Sequence, residues 1–331
     1  MARIALIGCG VTISSLAETN TDYIDYPETG RKITAEEVLD FCPGLKKLAQ
    51  PTVLTFRAVG SSAIGPGDWL QLAHLIETTA NAPDAPDGFV ILHGTATLEE
   101  TAYFLHLVLK VDIPVVLTGA QRPLNVIGSD AEANLRAAFR VAGDPRIRGM
   151  GVLVVMNDAI WPAREVTKTS THRLQAFTAP AAAQIGTIDM DQISISFEPC
   201  RPHTMATPFS ARISVADMPR VDVLYAVAGG DDAFARAAIA AGSKGIVSAG
   251  FAPGMPPPLE RSTLVEAGNA GVVVVQSSRV GSGRVAKRGW LKDQGWISAN
   301  DLNPQKARIL LMLALTVSDD LEWVQDCFDK F

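Results

Sequence analysis

Threonine hydroxyls and one lysine are the residues of this sequence whose placement suggests chemistry. In residues 90–105, VILHGTATLEETAYFL, an apolar run reaches Thr95 and Thr97 before a helical pattern begins. Thr12 follows an earlier apolar run, and Lys168 lies in the segment REVTKTST. A threonine hydroxyl becomes a nucleophile when a base takes its proton, and a desolvated lysine can be that base. The spacing of these residues in the sequence does not exclude an alternative, in which the threonines cap helices and the lysine is solvated.

Short apolar runs rich in Val, Ile and Leu recur along the chain, and most end in Gly, Ser, Thr or Asp. Such runs predict strands buried on both faces of a parallel sheet. They cover residues 4–10, 89–95, 114–120, 151–158, 223–230, 245–250 and 271–278. Helical patterns lie between them, at 97–111, at 129–144 with Asp130 placed as a cap, and at 304–328 as one or two helices.

This alternation predicts an α/β fold with right-handed crossovers and helices on both faces of the sheet. In open parallel sheets, ligands bind beyond the carboxyl ends of the strands. Thr12, Thr95 and Lys168 are therefore expected at one edge of the same sheet.

The chain length of 331 residues is enough for two domains with buried cores. The alternation lapses between 196 and 220, where prolines are frequent and apolar runs are few. We expect an N-terminal α/β catalytic domain at 1–197, a linker at 198–219 and a smaller C-terminal α/β domain at 220–331.

Composition excludes several classes of partner. The net charge of −6 gives no basic face for nucleic acid, and no apolar stretch approaches the roughly 20 residues that span a membrane. No signal peptide is evident, so a cytoplasmic location is expected. Its four scattered cysteines are expected to be reduced and buried. They are Cys9, Cys42, Cys200 and Cys327.

Common catalytic and cofactor motifs are missing from the sequence. Residues 8–13, GCGVTI, lack the third glycine of a dinucleotide fingerprint, and there is no phosphate loop, GxSxG elbow or HExxH helix. We read His93, just before the threonines, as structural because no paired nucleophile or carboxylate accompanies it. We expect no metal and no organic cofactor, and a small molecule as the partner.

Eight collinear stretches carry a resemblance to a known family along nearly the whole chain. They are VTISS around Thr12, VGSS at 59–62, HGTATLEETAYFL at 93–105, TGAQRP at 118–123, VLVVMND at 152–158, VTKTST at 166–171, SSRV at 277–280 and LNPQKAR at 302–308. With these motifs, the chain resembles the bacterial L-asparaginase/glutaminase family. The resemblance implies a two-domain α/β fold and a homotetramer built as a dimer of dimers. It also implies active sites where one subunit's N-domain meets the C-domain of its partner.

The resemblance also assigns catalytic roles. It implies that Thr12 is one of two threonines flanking the scissile amide and that Thr95 is the other, in a triad with Lys168. A tyrosine on the mobile loop after the first strand assists Thr12, and Tyr26 is the better placed candidate, with Tyr23 second.

The resemblance also implies which residues bind the substrate. Ser61 holds the substrate α-carboxylate, with Ser62 beside it, and Gly94 and Ala96 belong to the motif that faces the substrate. Ala96 stands where the family has the aspartate of HGTD, and Ser62 where it commonly has glutamine.

Other departures are the GCGVT segment in place of the family's GGT pattern, with Val11 replacing a glycine, and Pro253-Gly254-Met255 in place of an asparagine-rich loop. The partner-subunit glutamate expected after SSRV has no clear counterpart in a segment that is basic instead. In the family, the glutamine and the two acids together grip the substrate's α-ammonium. A desolvated ammonium without an anionic partner is costly, so we expect a substrate that lacks this group.

The sequence therefore predicts an asparaginase-like amidohydrolase that acts on a small linear or cyclic amide, with L-asparagine itself among the candidates. Thr12 would form an acyl-enzyme as ammonia leaves, and Thr95 with Lys168 would assist water in the second half. One alternative is a non-hydrolytic binding or sensing relative that kept the pocket. A weaker one is an amidotransferase subunit, for which no added RNA- or partner-binding domain is visible.

Overall fold

A computed structural model of the protein describes residues 1–10, 12–57 and 59–331. The chain forms two compact units, residues 1–211 and residues 212–331. The boundary falls inside the segment 198–219, whose role as a linker stays a prediction, as do the limits of the two domains. Val11 lies outside the described residues, so the structure does not bear on its replacement of a family glycine.

The first unit is built on an eight-stranded sheet with the strand order β12-β11-β8-β7-β6-β5-β1-β4. Strands β4, β1, β5, β6 and β7 are parallel, and β8, β11 and β12 extend the sheet in antiparallel fashion. Two short antiparallel ribbons, β2–β3 and β9–β10, lie outside this sheet. The strands are β1 Ala2–Gly8, β2 Ser15–Leu16, β3 Arg31–Lys32, β4 Ala49–Leu54, β5 Gly88–Leu92, β6 Val115–Thr118, β7 Val152–Met156, β8 Ala159–Pro162, β9 Thr167–Lys168, β10 Phe177–Thr178, β11 Gly186–Asp189 and β12 Gln192–Ile195.

The described residues of this unit form five α-helices: α1 Tyr26–Thr29, α2 Ala35–Phe41, α3 Pro66–Ala80, α4 Leu98–Val108 and α5 Ala131–Ala142. Helix α4 is buried along nearly all of its length, and of its residues only Glu100 is half-buried. Its burial extends to Glu99 in the first turn, a position where an acidic side chain is ordinarily solvated.

The second unit has a parallel four-stranded sheet in the order β13-β14-β15-β16. Its strands are β13 Val221–Tyr225, β14 Gly245–Gly250, β15 Val273–Ser278 and β16 Ile297–Ser298. Its helices are α6 Ala233–Ala240, α7 Pro258–Asn269, α8 Gly289–Asp293, α9 Pro304–Leu315 and α10 Leu321–Lys330.

The predicted two-domain α/β architecture is confirmed, and each of the seven apolar runs overlaps a strand. The pattern at 304–328 forms two helices, α9 and α10. One prediction about the cysteines was wrong, because Cys200 is exposed while the other three are buried. It lies in the proline-rich segment where apolar runs are few, so no core packs over it.

Candidate active site

The loops that follow β1 and β5 leave the same edge of the main sheet. In the parallel register, Gly8 at the end of β1 lies opposite Leu92 at the end of β5, and Cys9 N donates to Leu92 O at 2.9 Å. Thr12 and Thr95 follow these strand ends by a few residues. The sheet thus brings both loops to one edge, as the parallel pattern predicted.

Thr12 is paired with a tyrosine. Its Oγ1 lies 2.8 Å from the hydroxyl of Tyr26, the first residue of α1. Tyr26 lies in the segment between β2 and β3, which pair as an antiparallel ribbon in which Ser15 is opposite Lys32. The Nζ of Lys32 donates to Ser15 Oγ at 3.1 Å and lies 5.8 Å from the centre of the Tyr26 ring.

The surroundings of Tyr26 keep its phenol protonated at neutral pH. Burial raises the pKa of Tyr26, the hydrogen bond with Thr12 works against that rise, and the nearby carboxylate of Asp130 adds to it. Tyr23, the second candidate, points elsewhere: it is 39 % exposed and its hydroxyl donates to Ile127 O at 2.9 Å. Of the two tyrosines, the structure places Tyr26 against Thr12.

Thr95 is paired with the predicted lysine. Lys168 Nζ donates to Thr95 Oγ1 at 2.7 Å, although the two residues are 73 positions apart in the chain. Thr95 is buried and Lys168 is half-buried. Burial lowers the pKa of Lys168 from its usual value, because a charged ammonium loses hydration there. The pair therefore provides an amine closer to its neutral, basic form than a surface lysine.

His93 holds the backbone just before Thr95. Its Nδ1 lies 2.9 Å from Gly94 O, which can only accept, so Nδ1 carries the proton and Nε2 accepts from the Thr101 hydroxyl at 2.9 Å. Trp69 Nε1 in turn donates to Thr101 Oγ1 at 2.9 Å. Complete burial lowers the pKa of His93 to about 4, so the ring is neutral. These contacts agree with the structural interpretation of this histidine.

The predicted substrate-binding residues divide into two that are buried and two that are exposed. Ser61 and Gly94 are buried, whereas Ser62 and Ala96 are exposed to solvent. Thr97 Oγ1 donates to Ser61 O at 2.8 Å and so joins the segment of Ser61 to that of Thr95.

Asp130 has a different contact from the one predicted. It occupies the N-cap position of α5, but its side chain makes no capping bond to that helix. Instead it accepts from the backbone N–H groups of Gln121 and Arg122, at 3.0–3.1 Å, and from Asn134 Nδ2 at 3.0 Å. Asn134 also donates to Gly119 O at 3.0 Å. Asp130 and Asn134 therefore hold the 118–123 loop, a role that the sequence signals only by their i, i+4 spacing at the start of a helix.

Cys9 is not a second nucleophile. Its side chain is 1 % exposed, and burial, with a smaller effect from Asp68, raises the pKa of its thiol to about 12. The thiolate, which is the reactive form, is therefore absent at neutral pH. Among the described residues, no group of three or more His, Cys, Asp or Glu side chains could hold a metal ion. In the same part of the chain, no helix has both the length and the apolar character to cross a membrane.

Gly119 lets the loop after β6 approach Thr95. A Cβ at this position would lie 2.6 Å from His93 O and 3.1 Å from Thr95 Cγ2. We expect Gly119→Ala to lower the free energy of unfolding by about 1–3 kcal/mol, as overpacking of a filled interior does. Chemical denaturation measures the change, with Gly44→Ala as the control because a Cβ there meets nothing within 4 Å. Equal stability of the two variants would contradict this close approach.

Comparisons with known proteins identify relatives of both units of the chain. Residues 3–201 match the asparaginase N-terminal family model, and residues 220–328 match the glutaminase/asparaginase C-terminal domain model. The chain is 38 % identical to L-asparaginase 2 of Bacillus subtilis, over 100 % of this chain and 87 % of that one. It is 37 % identical to L-asparaginase 2 of Escherichia coli, over 100 % of this chain and 94 % of that one.

A solved structure shows the same fold over the full length. The probable cytoplasmic L-asparaginase from Campylobacter jejuni superposes with a TM-score of 0.96 at 36 % identity, covering 100 % of both chains. With both family models and these full-length relatives matched, the chain belongs to the asparaginase/glutaminase family of amidohydrolases.

Proposed function

We propose that this protein releases ammonia from a small amide by nucleophilic catalysis at Thr12. The observation that carries the proposal is that each of two threonine hydroxyls has its own hydrogen-bond partner. Thr12 Oγ1 lies 2.8 Å from the Tyr26 hydroxyl, and Thr95 Oγ1 lies 2.7 Å from Lys168 Nζ. One pair supplies a nucleophile and a proton relay, and the other supplies a base for water. The names of the relatives, L-asparaginase 2, support amide hydrolysis.

In the first half-reaction, Thr12 Oγ1 attacks the amide carbonyl carbon and the C–N bond breaks. Tyr26 is protonated in the resting site, so it can act as a relay. The Tyr26 hydroxyl gives its proton to the departing nitrogen and receives the proton of Thr12. Ammonia leaves and an ester on Thr12 remains. Backbone N–H groups near Thr12 and Thr95 would stabilise the oxyanion.

In the second half-reaction, water attacks the ester carbon. Neutral Lys168 accepts a proton through the Thr95 hydroxyl, to which it is hydrogen-bonded, while water loses that proton. The Thr12 alkoxide leaves the tetrahedral intermediate and recovers its proton through Tyr26. The carboxylic acid returns a proton to Tyr26 and the Lys168 ammonium releases its proton to solvent, so the products are a carboxylate, a proton and the free enzyme.

The proposed substrate has a carboxylate near Ser61 but no α-ammonium. The exposed Ala96 and Ser62 present a methyl group and a hydroxyl rather than an anion, and Thr97 joins their two segments by its hydrogen bond to Ser61 O. A panel assay of ammonia release tests this with L-asparagine, L-glutamine, cyclic amides and succinamate, which is the L-asparagine chain without its ammonium. Release that disappears in Thr12→Ala supports the proposal. Thermal stabilisation by an amide without release identifies a binding protein instead.

Returning a carboxylate to position 96 should change substrate preference. We expect Ala96→Asp to raise kcat/KM for L-asparagine relative to succinamate by about 10- to 100-fold, since a hydrogen bond to a charged group contributes about 1.5–3 kcal/mol. Ala96→Asn is the control, because it has the same size without the charge. Strong preference of the unaltered enzyme for L-asparagine would contradict the proposed substrate.

We propose a homotetramer and a cytoplasmic protein, as the resemblance and the sequence imply. Light scattering coupled to size-exclusion chromatography measures the mass of the assembly, and cell fractionation measures the location.

A further inference from the structure

Glu99 is a buried acid that the mechanism above does not use. It lies in the first turn of α4, four residues after Thr95, and is 5 % exposed. Its Oε1 accepts a hydrogen bond from the backbone N–H of Lys168 at 3.1 Å. The same segment therefore contacts Lys168 twice, through Thr95 at the Nζ end and through Glu99 at the main chain.

The ribbon that carries Lys168 explains why its N–H needs this acceptor. In the ribbon, Lys168 faces Phe177, and Thr169 N donates to Ala176 O at 2.7 Å. N–H groups in an antiparallel ladder alternate between the partner strand and the outside. The N–H of Lys168 therefore faces away from β10, where Glu99 receives it. With only two residues in each strand, the ribbon itself provides little restraint.

We propose that Glu99 is a positioning residue for the Thr95–Lys168 pair, fixing the backbone from which the Lys168 amine reaches Thr95. The inference rests on the proposed function, because it assumes that this pair activates water in the second half-reaction. Ala96 has no carboxylate. The carboxylate of Glu99, three residues later, accepts the hydrogen bond from Lys168 N.

Glu99 acts here through the reach of its oxygen rather than through its charge. Burial is the cause of the lowered pKa of Lys168, so the base character of the amine comes from desolvation. A neutral acceptor of the same length should therefore do the same work, and a shorter anion should not.

Two conservative variants of the full chain separate reach from charge. Glu99→Gln keeps the length and an accepting oxygen without the charge, whereas Glu99→Asp keeps the charge but is one methylene shorter. We expect Glu99→Gln to retain kcat for ammonia release within about threefold and Glu99→Asp to lower it roughly 10- to 100-fold, the loss that misplacement by an ångström produces. Because kcat/KM reports the first half-reaction, it should change little in either variant, so KM should fall together with kcat in Glu99→Asp. Glu132→Asp is the matched control, because Glu132 is an exposed acid in the first turn of α5.

Because Lys168 acts after ammonia has left, Glu99→Asp should also accumulate the acyl-enzyme. Rapid quenching should show one ammonia per active site released in a burst, and intact-mass spectrometry should show the added acyl group. If Glu99→Asp works as well as Glu99→Gln or better, or if no burst appears, the inference is overturned. The proposed function fails separately, if the unaltered enzyme releases no ammonia or Thr12→Ala keeps the activity.

Discussion

Thr12→Ala should lower kcat/KM for every amide that the protein hydrolyses by about 10⁴-fold or more, as removal of a nucleophile does in hydrolases. The substitution removes the oxygen that forms the ester, and no neighbour can replace it. Tyr26 keeps its proton because its pKa is raised, and the Cys9 thiol, with a pKa of about 12, is buried and un-ionised. Steady-state ammonia release measures the loss, and intact-mass spectrometry should find no acyl group on the variant.

Three further variants make this prediction specific. Thr12→Ser retains a hydroxyl and should keep much more activity than Thr12→Ala. Tyr26→Phe removes the group that contacts Thr12, and we expect a loss of about 10²-fold or more for a missing proton relay. Tyr23→Phe is the matched control, since the Tyr23 hydroxyl donates to Ile127 O instead. If Tyr23→Phe were the more damaging of the two tyrosine changes, the assignment of Tyr26 would be wrong.

Lys168→Met should lower kcat by about 10²- to 10⁴-fold, the usual contribution of a general base. It should also change the pH dependence. The amine works as a base only when neutral, so kcat of the unaltered enzyme should rise with pH until Lys168 has lost its proton. Burial lowers the pKa of Lys168, so that rise should lie below the 10.5 of an ordinary lysine. In Lys168→Met the rise should disappear.

Lys110 offers a control of the same residue type. Burial lowers its pKa as well, but its Nζ donates to Thr204 O, Thr207 O and Thr207 Oγ1, away from Thr95. Lys110→Met should lower stability and leave the pH limb of kcat in place. A limb that survives in Lys168→Met and moves in Lys110→Met would show that another group is the base.

Much of the fold could be predicted because the central strands are buried on both faces and read as continuous apolar runs. The strand β4 was missed because it lies at the edge of the sheet, contains Pro51 and is only partly buried. The antiparallel strands β11 and β12 have mixed burial and lie at the other edge. Short edge strands bury too little apolar surface to leave a clear pattern.

The candidate site depended on more than local patterns. Thr95 and Lys168 are separated by 73 positions, and their pairing was inferred from the family resemblance rather than from spacing. Which of Tyr23 and Tyr26 contacts Thr12 depends on the path of the chain between β2 and β3, which the sequence does not show. Glu99 was read only as an acid in the first turn of α4, because its contact with Lys168 N depends on where the β9–β10 ribbon lies.

Ala96 is an exposed residue between two residues whose side chains are held by hydrogen bonds. It is exposed between Thr95 and Thr97, each of which is fixed by a hydrogen bond to another part of the unit. A new side chain at this position can extend into open space while its neighbours keep the backbone in place. Natural variants and directed-evolution libraries can therefore introduce new side-chain chemistry at this single codon while the contacts of Thr95 and Thr97 are kept.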